Sequence, residues 1–317
     1  MKNIVLLLVF IFSSFHSAVA QLKWQNVDSI FQPLPSSIHV FKTTDSLEGK
    51  PNIAYYVNID LSDQNLVVET DTTLSRRLTP LQFYKKNDNP IIVSNCTFFS
   101  FQTNQNLSTV IKNGRVVSHN SNVVAGKGKD SLLFQHFLGS AIGISTSNKI
   151  DIAWLFTDSS KRKAYAFQSP IKPNKDSLSF HKLDFYKSYS FEKWKMKIAV
   201  GGGPVLIQNN EISISNNEEL KFAGKAISDK HPRTAMGYLE NGQLIILVIQ
   251  GRLPNISEGA TLIQEAKILK DLGCKEAINL DGGGSSCLLI NGKETIQPSD
   301  KNGQRAVPAV FLIKQLN

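Results

Sequence analysis

The chain has 317 residues, of which 41% are hydrophobic and 19% charged, and its formal net charge is +9. This composition excludes a disordered chain and a coiled coil, and the 3 cysteines exclude a small protein held together by disulfides. The excess charge lies in residues 1–200, which contain 23 Lys+Arg and 14 Asp+Glu, whereas residues 201–317 contain 12 of each. Glycine shows the opposite trend, because 14 of the 20 glycines lie between Gly201 and Gly303.

The N-terminus has the pattern of a secretory signal peptide over Met1–Ala20. Lys2 supplies the positive charge, Ile4–Phe12 is an apolar run of nine residues, and Ala18-Val19-Ala20 precedes a cleavage site before Gln21. The apolar run is too short to span a bilayer, and no cysteine near the cleavage site suits lipid attachment. The sequence therefore predicts a secreted or periplasmic protein with no membrane span after signal removal.

Turn residues mark a series of short strands and predict antiparallel hairpins. Asn-Gly pairs stand at 113–114, 241–242 and 291–292, and an Asn-Asn pair stands at 209–210. The predicted strand pairs are 53–61 with 65–70, 108–112 with 115–118, 205–208 with 211–214, and 234–239 with 243–250. Two further strands are predicted at 90–94 and 276–280.

One amphipathic helix is predicted over residues 261–272. Thr261 and Gln264 form a capping box at its start, and Gly273 suits the position after its end. A second helix of two turns is predicted at 80–86. The fold class is therefore α+β, dominated by antiparallel sheet. The predicted organisation is a signal peptide at 1–20, a strand-rich segment at 21–90 packed on the main domain, and a main domain at 91–317.

Residues 161–197 differ from the rest of the chain, because they contain 10 Lys+Arg, 3 Asp+Glu and eight aromatic residues. Strands with the rings inward and the lysines outward explain this alternation, and a surface that binds a polyanion is the alternative. The segment is predicted as a basic, aromatic-rich insertion in the main domain. No recognition motif for nucleic acid accompanies it, so nucleic acid is not a predicted partner.

Cys96, Cys274 and Cys287 are an odd set for an oxidising compartment. One disulfide is compatible with this number, but buried thiols that fill small apolar spaces are the favoured interpretation. The cysteines show neither a C-x-x-C spacing nor a Cys/His metal pattern. The sequence predicts no metal site and no cofactor.

Two segments, each with three consecutive glycines after a short apolar strand, are the strongest candidates for a functional site. They are Gly201-Gly202-Gly203 and Gly282-Gly283-Gly284, the second of which follows Asp281. Three consecutive glycines are entropically costly, and they allow a ligand to approach bare backbone N–H groups. Such groups can form a nest for an anion, to which Ser285 and Ser286 would add hydroxyl donors. A tight bend is the alternative for a single triplet.

Arg233 and Arg252 flank a predicted hairpin, so antiparallel pairing brings them to the same end of it. Two neighbouring guanidinium groups repel each other unless an anion lies between them, and the planar guanidinium binds phosphate with two hydrogen bonds. Surface ion pairs, for example with Glu240 or Glu258, are the alternative.

Together with the strand end Asn95-Cys96-Thr97-Phe98-Phe99, these motifs resemble the phosphodiester glycosidase family. The resemblance runs from about Ile91 to Ile313. It rests on Asn-x-x-Phe-Phe, Val-Gly-Gly-Gly-Pro, Pro-Arg-Thr-Ala-Met-Gly, Gln-Gly-Arg, the helix at 261–273 and Asn279-Leu-Asp-Gly-Gly-Gly-Ser-Ser. It implies a hydrolase that cleaves the C1–O bond of a sugar-1-phosphodiester or a related anionic glycan, and the signal pattern predicts that this hydrolase is exported. Because phosphate is a good leaving group, such a site must hold its charge and stabilise an oxocarbenium-like centre.

The resemblance also implies a role for each matched residue. Asp281 would face C1 as the base for water or as the nucleophile, and Arg233 and Arg252 would hold the phosphate. Glu258 and Asp229 are candidates for a second carboxylate. The remaining substrate contacts would come from Asn95, Phe99, Gly202, Gly203, His231, Asn279, Gly282, Gly283, Gly284, Ser285 and Ser286. Among these, N–H groups of both triplets would bind phosphate, the two asparagines would bind sugar hydroxyls, and Phe99 would pack on the sugar ring. His231 would either donate to phosphate or cap a strand.

Two other functions remain open from the sequence. The first is binding of a glycan or another polyanion without catalysis, through residues 161–197. The second is metal-dependent phosphodiester hydrolysis at Asp281 and His231, although a two-metal site needs more His and Asp ligands than are seen here. The sequence does not predict the sugar, the stereochemistry or the oligomeric state.

Overall fold

The computed structural model of the protein describes residues 21–316, so the predicted signal peptide lies outside the described residues. The first strands are β1 Gln25–Asn26, β2 Ile38–Thr43, β3 Ala54–Ile59, β4 Leu66–Thr72, β5 Ile92–Asn95, β6 Val110–Lys112, β7 Arg115–Ser118, β8 Val123–Ala125, β9 Phe134–His136, β10 Gly139–Ile144, β11 Ile150–Asp158 and β12 Lys163–Phe167. The remaining strands are β13 Asn174–Asp176, β14 Glu192–Lys193, β15 Ile198–Gly201, β16 Val205–Gln208, β17 Glu211–Ile212, β18 Arg233–Leu239, β19 Leu244–Ile249, β20 Cys274–Asn279, β21 Leu288–Ile290, β22 Lys293–Glu294 and β23 Ala309–Gln315. The α-helices are α1 Pro80–Lys86, α2 Asn216–Glu219 and α3 Leu262–Asp271.

These strands form four antiparallel sheets. Sheet I has the order β1-β2-β3-β19-β18-β20-β16-β17, and sheet II has the order β14-β12-β11-β10-β15-β6-β7. Sheet III has the order β22-β21-β5-β23-β4, and sheet IV has the order β13-β9-β8. The prediction of a sheet-dominant, antiparallel fold with few helices is confirmed. Among residues 21–316, no helix has the length and apolar character needed to cross a bilayer.

One large core joins sheets I, II and III. It contains Val57 and Ile246 from sheet I, Ile142 and Val200 from sheet II, and Phe311 from sheet III. Helix α3 covers the other face of sheet I. Between α3 and this face lies a second apolar cluster, which includes residues of α3, β16 and β19. Sheet I is therefore buried on both faces, which explains why β19 is apolar at every position.

The predicted helices are confirmed, and their capping explains their starts. The Thr261 hydroxyl accepts a hydrogen bond from the Gln264 N–H at 3.2 Å, and the Gln264 side chain accepts one from the Thr261 N–H at 3.0 Å. Thr79 and Gln82 form the same box at the start of α1. Such boxes satisfy backbone donors that have no partner within the helix.

The four hairpins predicted at Asn-Gly and Asn-Asn turns are confirmed: β6 pairs with β7, β16 with β17, β18 with β19, and β21 with β22. The predicted pairing of 53–61 with 65–70 is wrong. Strand β3 pairs with β2 and β19 in sheet I, whereas β4 pairs with β23 in sheet III. The turn Ser62-Asp63-Gln64 offers no residue with the positive φ that a tight hairpin needs, and it connects two sheets instead.

Segment 161–197 contributes β12 and β14 to one edge of sheet II, where β10 and β11 separate them from β15. Phe167, Tyr186 and Trp194 are buried, whereas Phe180 and Tyr189 are exposed. Most of the rings therefore pack on the core, whereas most of the basic side chains are exposed. The three cysteines are buried free thiols, which is the interpretation that the sequence favours.

Both glycine triplets lie where the chain passes from one sheet to another. The first connects β15 of sheet II to β16 of sheet I, and the second connects β20 of sheet I to β21 of sheet III. The two crossings are joined, because the Gly203 N–H donates to the Asn279 carbonyl at 2.7 Å. The Asn279 side-chain amide in turn donates to the Gly203 carbonyl at 2.8 Å.

Candidate active site

Asp281 begins the loop that carries the second triplet, and backbone contacts fix its position. Its N–H donates to the Cys96 carbonyl at 2.8 Å, and its carbonyl accepts from the Asn95 side-chain amide at 2.6 Å. The residue is half-buried, and its Oδ2 atom is buried with no hydrogen-bond partner among the described residues. Burial raises the pKa of Asp281 to about 7, against the lowering effects of the Ser285 hydroxyl and the Arg305 charge.

Two other buried polar atoms near this loop also have no partner in the described part of the chain. They are Asn279 Oδ1, at the end of β20, and Ser286 Oγ, at the end of the glycine loop. Buried polar atoms in native proteins are nearly always hydrogen-bonded to protein or water. Three such atoms within eight residues of sequence indicate a site that a ligand or water completes.

Arg252 lies against the second triplet, with its guanidinium next to Gly283. Arg252 follows β19 and has a backbone φ of 59°. This left-handed conformation is unusual for a residue with a side chain of this size. Its Nη2 lies 3.3 Å from Nδ1 of His231. Burial and the charges of Arg252 and Arg233 lower the pKa of His231, so the ring is neutral at pH 7. Because Nδ1 faces a donor, we assign the proton to Nε2, which is then free to donate.

Arg233 lies at the same end of the β18–β19 hairpin as Arg252, as predicted, but it is buried with 2% of its surface exposed. Its Nε donates to the Ala260 carbonyl at 2.8 Å and its Nη2 to the Asp229 carbonyl at 3.0 Å. Only part of the guanidinium is left for a ligand, and a phosphate contact from Arg233 stays a prediction. The Arg233 side chain thus links the backbone at Asp229 to the backbone at Ala260. Neither arginine has a carboxylate within 4.0 Å in the described residues.

The prediction that Asn95 contacts sugar hydroxyls is not supported by its position. Asn95 is fully buried, and its Oδ1 accepts hydrogen bonds from the Thr234 hydroxyl at 2.9 Å and the Cys287 N–H at 3.0 Å. With its amide on the Asp281 carbonyl, it connects sheets I and III and holds the loop. It is a positioning residue. The Asn279 side-chain amide likewise donates to the Gly203 carbonyl, which leaves only its buried Oδ1 for a ligand.

Phe99 is also placed away from the predicted sugar contact. It is buried in an apolar cluster of sheet III, where its ring packs on Phe101 at a centroid distance of 4.8 Å. The neighbouring Phe98 is half-buried and packs on Phe222 at 6.1 Å, with Lys221 Nζ 5.2 Å from its ring centroid. Alternation of side chains after β5 thus directs Phe98, rather than Phe99, toward this polar surface.

The N–H groups of the first triplet are unavailable for a phosphate. The Gly202 N–H donates to the Ser140 carbonyl at 3.0 Å, and the Gly203 N–H donates to Asn279. In the second triplet, the Gly283 N–H donates to the Pro232 carbonyl at 2.8 Å. These three predicted phosphate contacts are therefore wrong, because each donor already has a backbone acceptor. Among the described residues, the N–H groups of Gly282 and Gly284 donate to no backbone carbonyl.

Arg305 and Asp300 are site residues that the sequence analysis missed. Arg305 binds Asp300 through two hydrogen bonds, from Nε at 2.7 Å and from Nη2 at 2.8 Å. Its Nη1 reaches the Ser285 hydroxyl at 3.4 Å, and the pair lies directly over Gly284. The only signal in the sequence is a polar loop before the last strand. Strand β23 places this loop beside the Asp281 loop because both belong to sheet III.

Glu219 and Lys221 were also missed, and they explain the first triplet. The Glu219 carboxylate is fully buried and accepts five hydrogen bonds, which come from the N–H and hydroxyl of Ser140, the Trp154 indole, the Val205 N–H and the Ser215 hydroxyl. It lies against Gly203 together with the Lys221 side chain. Burial lowers the pKa of Lys221, against the raising effect of the Glu219 charge.

The two candidates for a second carboxylate contact other groups. Glu258 pairs with Lys230 at 3.2 Å and with Lys50 at 3.7 Å. Asp229 contributes its carbonyl to Arg233. Asp300 is the carboxylate that lies against the second triplet. Over residues 21–316, no three His, Cys, Asp or Glu side chains are grouped as a metal site requires.

Comparison with known proteins identifies the family of the chain, the phosphodiester glycosidases. The model of that family matches residues 87–314, well over half of the chain, so the chain belongs to the phosphodiester glycosidase family, as predicted. Among named relatives, an N-acetylglucosamine-1-phosphodiester alpha-N-acetylglucosaminidase from Mus musculus is 24% identical over 209 residues, covering 66% of this chain and 33% of the mouse protein. The Bos taurus protein of the same name is 34% identical over 103 residues, covering 30% of this chain and 19% of the bovine protein. The aligned part is thus a third or less of either relative.

Solved structures show the same fold. The catalytic domain of the zebrafish N-acetylglucosamine-1-phosphodiester alpha-N-acetylglucosaminidase, auto-inhibited by its pro-peptide, matches with a TM-score of 0.56 and 19% identity, covering 93% of this chain and 89% of that chain. A hypothetical protein from Synechocystis matches with a TM-score of 0.61 and 14% identity, covering 92% of this chain and 63% of that chain. At these identities the likeness concerns the fold.

Proposed function

We propose that the protein is a hydrolase that cleaves the C1–O bond of a sugar-1-phosphodiester, with Asp281 as the catalytic carboxylate. The observation that carries the proposal is the setting of Asp281, a half-buried carboxylate whose Oδ2 has no partner among the described residues. Two guanidinium groups, of Arg252 and Arg305, lie over Gly283 and Gly284 in the same loop. The family membership and the names of the relatives support this assignment.

The phosphodiester carries one negative charge, and the bridging C1–O bond breaks with its electron pair going to phosphate. Arg252, the Gly284 N–H and the outer part of Arg305 are positioned to hold that charge. His231, which is neutral and carries its proton on Nε2, adds a donor. Fixed donors around a departing phosphate lower the barrier because they need no rearrangement as its charge develops.

Asp281 acts on the positive charge that develops at C1. In its ionised form it stabilises the oxocarbenium-like state and either takes a proton from the attacking water or bonds to C1 directly. The anomer formed first, observed by NMR in fresh reaction mixtures, separates these two steps. Export through the Met1–Ala20 signal is part of the proposal, because the charge, apolar run and cleavage pattern of that segment are those of secreted proteins.

The test is release of free sugar from a sugar-1-phosphate methyl diester. Asp281→Asn is expected to lower kcat/KM by about 1,000-fold, within the range of general acid–base groups. The matched control is Asp184→Asn, since Asp184 has a side chain that is 68% exposed on the basic segment. Equal rates for wild type and Asp281→Asn would remove Asp281 from its role. Loss of turnover with a chelator would instead support metal-dependent hydrolysis, and binding without turnover in wild type would support a glycan-binding protein.

The pH profile supplies a second test. Because burial raises the pKa of Asp281 to about 7 and the ionised form acts, kcat/KM is expected to rise about tenfold per pH unit below pH 7 and to level above it. Ser285→Ala removes a hydroxyl that lowers this pKa, so the midpoint is expected to move to higher pH. A profile with the same midpoint in both proteins would assign the titration to another group.

A further inference from the structure

A polar groove with an exposed aromatic floor lies beside the candidate active site. Its cavity measures about 570 Å³ and is lined by Arg77, Phe101 and the loop of residues 299–306. Phe101 is 62% exposed, although its ring is large and apolar. A ring kept open in this way, between charged groups, suits the apolar face of a sugar.

Cationic side chains surround this ring. The Arg77 guanidinium lies 5.3 Å from the Phe101 centroid, and the Arg305 guanidinium lies 5.4 Å from it. Arg305 is neutralised by Asp300, but Arg77 and Lys301 have no carboxylate within 4.0 Å in the described residues. The groove therefore contains three cations and one carboxylate, and its electrostatic potential favours an anion.

The groove is continuous with the site, because Arg305 belongs to both. Its Nη1 reaches the Ser285 hydroxyl at 3.4 Å, and its guanidinium also contacts the Phe101 ring. Ser299 also lines the groove, although its hydroxyl is buried.

We propose that the groove is a subsite for the group on the far side of the scissile phosphate, and that it takes a pyranose that carries a second phosphate. The pyranose stacks on Phe101, and Arg77 binds its phosphate. In the proposed reaction Asp281 faces C1 of the sugar. The phosphate and the group attached to its far side then extend past Arg305 into the groove. This inference rests on the proposed function and narrows the substrate to sugar phosphates with more than one phosphate, such as segments of a sugar-phosphate polymer.

The experiment compares three diesters of the same sugar-1-phosphate, in which the far side of the phosphate is esterified with methanol, glucose or a glucose phosphate. Cleavage of the C1–O bond then releases methyl phosphate, a glucose phosphate or a glucose bisphosphate. Wild type is expected to show a kcat/KM about tenfold higher for the glucose phosphate than for glucose, as one charge-assisted hydrogen bond gives. Arg77→Gln is expected to abolish that ratio, and Phe101→Ser is expected to abolish the preference for glucose over methanol. Both variants are expected to hydrolyse the methyl diester within twofold of wild type. Arg115→Gln, on the exposed strand β7, is the matched control.

The outcomes separate the two proposals. If wild type hydrolyses all three diesters equally, the subsite is overturned while the proposed function stands. If it hydrolyses none, the proposed function fails, and saturation-transfer NMR with glucose phosphate then tests the subsite alone. A signal that Arg77→Gln abolishes and Arg115→Gln keeps supports the subsite, and a signal that is absent or the same in both overturns it.

Discussion

The two glycine triplets both lie where the chain crosses from one sheet to another, yet their surroundings differ. Gly201-Gly202-Gly203 is buried, and its crossing is sealed by backbone carbonyls and by the Glu219 carboxylate. Gly282-Gly283-Gly284 faces the guanidinium groups of Arg252 and Arg305. A row of glycines therefore allows other groups to approach the backbone closely. At the first triplet these groups are buried parts of the protein, and at the second they are charged side chains that a ligand can reach. The first crossing supports the loop on which the second presents Asp281.

The comparison predicts that the first triplet governs stability. Gly203→Ala places a Cβ into the Glu219 carboxylate, which five hydrogen bonds hold in position, at a backbone φ of 111. We expect the free energy of unfolding to fall by at least about 3 kcal/mol, from disruption of a buried charge and backbone strain together. Urea denaturation followed by fluorescence measures it.

Gly242→Ala is the control for that substitution. Gly242 also has a positive φ, of 84, but nothing lies within 4 Å of an added Cβ. The cost of the left-handed conformation alone is about 1 kcal/mol. A loss in Gly203→Ala no larger than in Gly242→Ala would show that the Glu219 contact is not what requires glycine in the first triplet.

The second triplet is expected to govern activity. An added Cβ on Gly284 would overlap the Arg305 guanidinium and the Asp300 carboxylate, which are ends of flexible side chains and can move. We expect Gly284→Ala to lower kcat/KM about 10- to 100-fold while the free energy of unfolding changes by less than about 1 kcal/mol.

A double-mutant cycle with Arg305→Ala tests this explanation, because displacement of Arg305 predicts that the two losses do not add. Losses that multiply independently would contradict the explanation. So would a Gly284→Ala protein that loses as much stability as Gly203→Ala, since the two crossings would then play the same part.

Local chemistry in the sequence was sufficient for the turns and caps. Asn-Gly pairs define hairpins, and the Thr261–Gln264 box defines a helix start, because each depends on residues within a few positions. Sheet partners depend on distant contacts, so the destination of β4 could not be read from the turn that precedes it. Pairing of β4 with β23, at the other end of the chain, brings Thr70 opposite Phe311.

The same distinction applies to the site. Asp281, Arg252 and His231 belong to short motifs. The structure places Arg252 against the loop that follows Asp281, with His231 beside Arg252. The role of Gly202 was unpredictable, because its N–H is used by Ser140, which is distant in sequence. Arg305 reaches Ser285 only through the topology of sheet III. Motifs therefore identify which residues are special, and the fold decides whether each serves a ligand or the protein.

A pH dependence of stability is also expected at the second crossing. The pKa of Asp281 is raised from 3.8 to about 7 in the folded protein, so between these values the folded state binds the proton more strongly than the unfolded state. Stability from this group is therefore present at low pH and falls as pH rises toward 7, by up to about 1.4 kcal/mol per pH unit. Asp281→Asn cannot titrate and escapes this loss.

The Asn variant is thus expected to gain stability relative to wild type from pH 5 to pH 7, with no further gain to pH 8.5. Urea denaturation at each pH measures the difference, and Asp184→Asn, at an exposed site, is the control. A constant difference across this range would mean that Asp281 is ionised throughout. Carboxylates that are costly to ionise in the folded protein are concentrated at functional sites, so a confirmed gain would support a function at the second crossing.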